Sequence, residues 1–368
     1  MKRYMVCLLM LLAAAPACKN KEPKTTCIYG DSIPEADLTA ILSVSDRLME
    51  LVAGGDAKTV YEAGTEEMQA GQNRDQFTHA VDLFIQTFGQ FEFPRVKEAY
   101  YMESDAKETQ VWISCNLGQA GMDDLYQMPS NRKLAVVMYQ AHTQTEEMRI
   151  IFQLEKQGET WMLRSLTISP MTIKHNLPEY YTKKALELRE QNHLHAAVLY
   201  YRTAILLSDV GRNVSEFTVK FISDLMNQIK VDYMPAGEAQ LWATDSGAGY
   251  KVYGLDTAYD KGSLLVQISY LTPTLADKKK LDQEAHDLAS FLDKKFPEYR
   301  TAFDGFRVTA APEKREELMM AYHTTILFKD LPPPAPAAGE EKPEPPKPAP
   351  LQPAPENPPP EKPAQPAE

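Results

Sequence analysis

Apolar residues recur at helical spacing through the first third of the chain. Leu38, Ile41, Leu42, Leu48, Met49 and Val52 share one face of a helix that starts near Glu35. Ser32-Ile33-Pro34-Glu35 reads as its capping box, with serine at the N-cap and glutamate three residues on. Gly54-Gly55 ends it, and Asp56 caps a second, short helix through Val60 and Tyr61. A third helix runs from about Asp75 to Phe88, with Phe77, Val81, Phe84 and Phe88 on one stripe, and Gly89 stops it. The period then falls to two. Val96 to Met102 is a strand. Val111, Ile113, Cys115 and Leu117 alternate with Trp112, Ser114 and Asn116. Leu134, Val136 and Met138 form one row, and Ile150, Phe152 and Leu154 another. Gly158-Glu159 turns the chain into Trp161 to Ile168. The pattern predicts three helices followed by an antiparallel meander.

Pro178 opens a helical stretch. Tyr181, Ala185, Leu188, Ala197, Tyr201 and Ala204 fall on the spacing of a tetratricopeptide helix pair, though one unit is too few for a solenoid. It is read as a helical hairpin that bridges two domains. A further helix spans Glu216 to Ile229, with Phe217, Phe221, Leu225 and Ile229 on one face. Beyond Pro235 the strands Tyr250–Ala258 and Ser263–Leu271 are joined by the hairpin signal Tyr259-Asp260-Lys261-Gly262. A helix follows over Asp277–Phe296. A third strand carries Phe306, Val308 and Ala310, and Pro312-Glu313-Lys314 turns it. Leu318 to Phe328 alternates as a fourth. The order ββαββ predicts one sheet with a covering helix. From Pro332 onward the chain holds 16 of its 27 prolines, among alanine, glutamate and lysine. That composition predicts a disordered tail of polyproline character, serving as a spacer or a Pro-x-x-Pro docking strip such as Pro343–Pro346. The fold class is α+β. The organisation is signal peptide 1–17, tether 18–34, helix-and-sheet domain 35–172, helical bridge 173–233, ββαββ domain 234–330 and tail 331–368.

The extreme N-terminus sets the compartment. Lys2 and Arg3 precede an apolar run over Met5–Ala14, and Ala15-Pro16-Ala17 is a small-residue cleavage site directly before Cys18. The run is too short to span a bilayer, which takes ~20 residues. This arrangement resembles the lipobox of bacterial lipoproteins, except that Ala15 stands where the family prefers Leu, Val or Ile. The resemblance implies that Cys18 is acylated and that Lys19, following it, directs the protein to the outer membrane facing the periplasm. The membrane is thus a partner through the lipid at Cys18, and an envelope protein is expected as another. The net charge of −12 becomes more negative when the signal takes Lys2 and Arg3 with it. With no basic patch, that charge repels anionic headgroups and excludes nucleic acid as a partner. Two cysteines then remain, Cys27 and Cys115. In an oxidising compartment they could pair. The preferred reading is two separate thiols, Cys115 buried in a strand and Cys27 in a flexible tether.

From Glu35 to Thr172, the order of amphipathic helix, Gly-Asp with a short Tyr-bearing helix, Phe-Gly ending the third helix, strands and a closing Gly-Glu-Thr-Trp-Met-Leu-Arg-Ser-Leu strand resembles the nuclear-transport-factor-two-like superfamily (SnoaL-like, cystatin-like cone). The resemblance covers a little over a third of the chain. It implies a cone whose mouth, in the enzymes of the family, holds an Asp, His or Tyr. Asp82, Tyr101, Tyr139 and His142 are the residues of those types, and none matches a family catalytic motif.

Elsewhere catalytic chemistry is hard to find. There is no Walker loop, GxSxG, HExxH, CxxC or EF-hand loop. His193 and His195 point to different faces of a helix and suit no metal. His79, His142, His175, His286 and His323 are scattered. Asp123-Asp124 and Glu146-Glu147 read as solvated turn charges. Trp112, Tyr139 and Trp161 are the candidate lining of a small apolar pocket or binding face. The expectation is a lipid-anchored binding or scaffolding module without catalysis, cofactor or metal. The alternative is an isomerase, hydratase or hydrolase acting on a small apolar substrate in the cone.

Overall fold

The computed structural model describes residues 25–106, 110–115, 124–208, 214–215, 217–235, 237–313 and 321–332. It is a mixed α+β protein, as the sequence pattern predicts, and these residues lie in one compact unit. Cys18 and the proline-rich tail fall outside the described residues.

The chain is ordered earlier than its polarity suggests. Thr25–Tyr29, expected as part of a tether, is strand β1. A 3₁₀ turn over Gly30–Ser32 follows, so Ser32 is spent before the helix begins and the expected capping box does not form. Pro34 takes the N-cap of α1 (Glu35–Ala53), its carbonyl accepting from Leu38 N–H at 2.9 Å. Asp56 caps α2 (Ala57–Glu62), accepting from Thr59 N–H. A helix missed in the pattern, α3 (Glu66–Gly71), is capped by Thr65. The third expected helix is α4 (Arg74–Phe88), capped by Asn73. The strands are β2 (Glu92–Ser104), β3 (Gln110–Cys115), β4 (Asp124–Pro129), β5 (Lys133–His142), β6 (Glu147–Gln157) and β7 (Thr160–Pro170).

These strands are not one meander. The first sheet is antiparallel in the order β1-β2-β5-β6-β7. The β3–β4 hairpin leaves it and joins β8 (Val214–Ser215) in a separate three-stranded sheet. The reason is that β2, β5 and β6 carry apolar side chains on both faces. Tyr101, Ala135, Val137, Ile150 and Phe152 pack under the helices. Tyr100, Met102, Leu134, Val136 and Ile151 form a second cluster with Ile113, Cys115, Tyr126 and Met128 of the hairpin. A sheet apolar on both faces needs a cover on each. Cys27 of β1 and Cys115 of β3 form a disulfide with Cα atoms 5.4 Å apart. The separate-thiol reading fails because Cys27 lies in a strand and not in a tether.

Helices α5 (Pro178–Glu190) and α6 (Leu194–Ser208) form the expected hairpin, turning at Asn192 with φ 63°. Eleven of the fifteen residues of α6 are buried. It packs between α5, the following helix α7 (Phe217–Asn227), β7 and a strand of the second sheet. The inward face of α7 is rotated from the one expected. Ile222 is buried while Phe221 is half exposed, and Leu225, Met226 and Ile229 complete the contact.

The second lobe has β9 (Gln240–Ala243), β10 (Gly249–Asp260), β11 (Ser263–Thr272), α8 (Lys278–Lys295), α9 (Tyr299–Ala302), β12 (Gly305–Pro312) and β13 (Tyr322–Leu327). Its sheet order is β13-β12-β11-β10-β9, with β11 and β12 parallel across α8. The ββαββ expectation thus gains the edge strand β9 and the short α9. Lys261 (φ 47°) and Gly262 (φ 85°) make the two-residue turn between β10 and β11, the primed geometry that suits a right-handed twist.

The lobes meet through specific polar contacts. Tyr200 of α6 donates to Ala302 O at 2.6 Å, Thr203 bonds Thr257 at 3.0 Å, and Arg202 donates to Leu255 O. Phe88 stacks on Tyr259 with centroids 5.4 Å apart, and Lys174 pairs with Asp304 at 2.9 Å. Glu146, expected as a solvated turn charge, is buried. It accepts from Lys174 N–H at 2.6 Å, His175 N–H at 3.1 Å and the Thr172 hydroxyl at 2.7 Å. Lys174 and His175 both have positive φ, which turns their amides toward one carboxylate.

Two predictions follow from this packing. Breaking the Cys27–Cys115 link, which closes 88 residues, frees the unfolded chain and should cost about 2–5 kcal/mol. Denaturant unfolding of the Cys27→Ser, Cys115→Ser double variant should match that of the reduced native chain, and the variant should not respond to reductant. His195 is the second case. It is buried against the Phe296 ring at 3.8 Å, with Nδ1 3.2 Å from the Tyr299 hydroxyl. Burial pushes its pKa down to about 4, the nearby Asp232 opposing that shift. A depressed imidazole contributes stability that is complete above its unfolded pKa near 6.5 and is lost as pH falls toward 4. The loss should approach roughly 3 kcal/mol. His195→Gln should flatten the stability–pH curve between pH 6.5 and 4 in chemical unfolding.

Candidate functional site

A trough of the first lobe lies where α3 and α4 face β7, the last strand of its sheet. Its floor is fixed locally. Thr65 N–H donates to Leu163 O at 2.8 Å and Leu163 N–H to Ala63 O at 3.1 Å, so the loop before α3 is clasped onto β7. Gly64 makes that approach, since a Cβ there would lie 2.7 Å from Met68 Sδ and 2.9 Å from Tyr61 O. The Tyr61 hydroxyl donates to Gln69 O and Gln72 O at 3.0 and 2.8 Å, pinning the end of α3.

Beyond Leu163 the strand bulges. Leu154 pairs with Leu163 and Gln153 with Ser165, so Arg164 is the extra residue. Bulges re-aim side chains, and this one moves the inward face from Trp161 and Leu163 to Leu166 and Ile168. The trough encloses about 710 Å³ and is walled by Met68, Phe77, Val81, Phe84, Leu166 and Ile168. Ser165–Ile168 has no strand partner on its outer edge among the described residues.

Arg164 stands at one end. Its Nη1 donates to Glu155 at 2.7 Å and Glu67 at 3.4 Å. Glu155 is fully buried and also accepts from Arg132 and from Gln157. Arg164 is therefore neutralised within the protein and anchors the bulge. Gln72 and Gln76 complete the polar rim. The lining mixes its apolar side chains with the Glu67 carboxylate, the Arg164 guanidinium, the Ser165 and Thr167 hydroxyls and the amides of Gln72, Gln76 and Gln153.

The trio Trp112, Tyr139 and Trp161 is not brought together. Trp112 lies on β3 and is 52% exposed. Tyr139 and Trp161 are buried on the helix-facing side of the first sheet, where Tyr139 meets Phe152 at 5.7 Å and Trp161 meets Tyr101 at 6.2 Å, both edge-on. They fill the interior. The Tyr139 hydroxyl donates to Asp46 at 2.5 Å and lies 3.0 Å from Ser45. Desolvation, then the carboxylate that holds its proton, drive its pKa above the ordinary tyrosine value. The Tyr101 hydroxyl donates to Glu103 at 3.1 Å, and its pKa is raised by desolvation and that bond. Both phenols keep their protons and offer no general base. Asp82 is half buried on α4 and His142 ends β5 opposite Glu92 and Glu147, apart from the trough lining.

A second groove, about 730 Å³, runs along α8 beside Tyr250, Glu284, His286 and Asp287. Its carboxylates are occupied. Asp287 accepts from Thr244, Ser246 and Tyr250 at 2.7, 2.7 and 3.0 Å, and Glu284 from Tyr270 at 2.8 Å. Burial works to raise the pKa of Asp287, but the hydroxyl bonds outweigh it and hold the carboxyl below its usual range. Among the described residues no cluster of three or more His, Cys, Asp or Glu could hold a metal.

Comparison with family models, with curated proteins and with solved structures found no match for this chain.

Removing the carboxylate that organises the bulge tests its role. Glu155→Gln leaves Arg164, 16% exposed, facing a neutral amide. Breaking a buried pair costs about 3–5 kcal/mol, and the 44% exposure of Arg132 lets water offset part of that. Chemical unfolding should show a loss of about 2–4 kcal/mol.

Proposed function

We propose that this chain is a cell-envelope lipoprotein, acylated at Cys18 and held on the outer membrane facing the periplasm, whose first lobe is a cone-type module that binds and does not catalyse. The observation that carries the reading is the contrast between a filled interior and an open trough. Tyr101, Tyr139, Phe152 and Trp161 occupy the space where a cone enzyme would hold its substrate. The trough beside β7 presents apolar walls, a polar rim of glutamines, hydroxyls and the paired Arg164, and, over Ser165–Ile168, a strand edge with no strand partner among the described residues.

Those three features suit an extended polypeptide segment. Its backbone would meet the strand edge, and alternate apolar side chains would enter the trough. The Cys27–Cys115 disulfide supports an oxidising compartment.

Photo-crosslinking in intact cells tests this. Benzoylphenylalanine replacing Ala80, which lines the trough, should capture a second envelope protein. The same group replacing the exposed Lys183 of α5 should not. Capture at Ala80 no stronger than at Lys183 would sink the reading.

A further inference from the structure

The first sheet has two poles, and the chain arrives at one of them. Thr25 opens β1 opposite Ser104, the last residue of β2. The β4–β5 turn lies beside them, with Asn131 N–H donating to Ser104 O at 2.8 Å. The β6–β7 turn at Gly158-Glu159 closes the same end. The other end holds Glu92 and Phe93 of β2, His142 of β5 and the loop at Glu146. Ten residues of β5 separate the two, a span of about 30 Å. The second lobe attaches at that far end, through Phe88–Tyr259 and Lys174–Asp304.

Resting on the proposed acylation of Cys18, we propose that the near pole, formed by Thr25, Asn131–Lys133 and Gly158–Glu159, is a membrane-facing surface seated on phospholipid headgroups, with the second lobe held away from the bilayer. The length of the connection carries this. Six residues, Lys19 to Lys24, separate the lipid-bearing cysteine from β1. The seven Cα–Cα steps from Cys18 to Thr25, at ~3.6 Å each, reach about 25 Å at most, less than the height of the sheet. Three of the six are lysines and one is glutamate, so the tether itself favours phosphate headgroups. Asn131, Arg132 and Lys133 are exposed at this pole. The disulfide makes the geometry durable. Cys27 is the third residue of β1 and is bonded to β3, so a pull on the tether cannot peel β1 from β2 past that point.

The far pole offers a contrasting reporter. Phe93 is 80% exposed and bulges from β2 with φ 52°. The test uses the full mature chain on phosphatidylcholine vesicles that carry a nitroxide-headgroup lipid. Single cysteines replace Glu159, Phe93 or Lys261, and each bears a fluorophore. Quenching should be several-fold stronger at Glu159 than at Phe93 or Lys261. Inserting about twenty Gly/Ser residues after Lys24 should remove that difference. Equal quenching at the three positions, or stronger quenching at Phe93, overturns the orientation while the protein still floats with the vesicles. Failure of the acylation reading looks different: the intact mass lacks acyl chains at Cys18 and flotation is lost. Coupling a synthetic lipid through Cys18 then restores flotation, and the quenching order still decides the orientation.

Discussion

The structure depends on a helix, α6, with eleven of its fifteen residues buried. In α6, Ala196, Ala197, Leu199, Tyr201, Ala204 and Leu207 are essentially inaccessible, and His195, Val198, Tyr200 and Thr203 are also buried. A helix buried on most of its faces needs partners on each of them. Here they come from both lobes and from both neighbouring helices. Small residues let α5 approach closely, and the tyrosines reach outward. Tyr181 donates back to Ile173 O at 2.6 Å, while Tyr200 donates forward to Ala302 O. One apolar cluster therefore runs from Ile33 to Leu331. Neither lobe can bury its half of that surface if α6 is withdrawn. Each buried aromatic here is worth roughly 1.5–3 kcal/mol, so separating the lobes would expose far more than a domain's usual margin of stability.

Polar contacts then fix how the lobes meet. Burying Glu146 would be costly if it were unpaired. Two amides and a hydroxyl satisfy it, and they belong to the segment linking the first sheet to α5. Asp304 holds the Leu264 amide at 2.8 Å and the Lys174 ammonium. Such pairs add less net stability than their Coulomb attraction suggests. Their geometric demand is the larger effect, because a rotated lobe would pull Asp304 away from Lys174.

The regular elements were legible because their causes are local. The stripe Phe77–Phe88, the Asp56 cap, the Lys261-Gly262 turn and the α5–α6 pair all appear where period and turn chemistry put them. The misses share a cause, a long-range partner. Thr25–Tyr29 looks polar and short, and becomes a strand through pairing with β2 and a bond to Cys115. Glu146 looks like a turn charge until residues 172–175 fold back onto it. Phe221 and Ile222 are adjacent and equally apolar, and only tertiary contact chooses between them. The candidate site was least legible. Trp112, Tyr139 and Trp161 are large aromatics in strands, yet residue type does not report whether a neighbour fills the space. The bulge at Arg164 did leave a trace: apolar residues on β7 switch from odd positions (Trp161, Leu163) to even ones (Leu166, Ile168).

That switch bears on what the first lobe can do. A bulge-free β7 would keep Arg164 in the ladder and leave Leu166 and Ile168 on the opposite face. With the bulge, both reach the helices while Arg164 is bound by two carboxylates at the rim. The same residue thus opens the trough and neutralises its own charge. A site meant for an anionic substrate would leave that guanidinium free to pair with it. The proposed recognition of a chain rests on the shape of the trough, its mixed apolar and polar lining, and the strand edge at Ser165–Ile168.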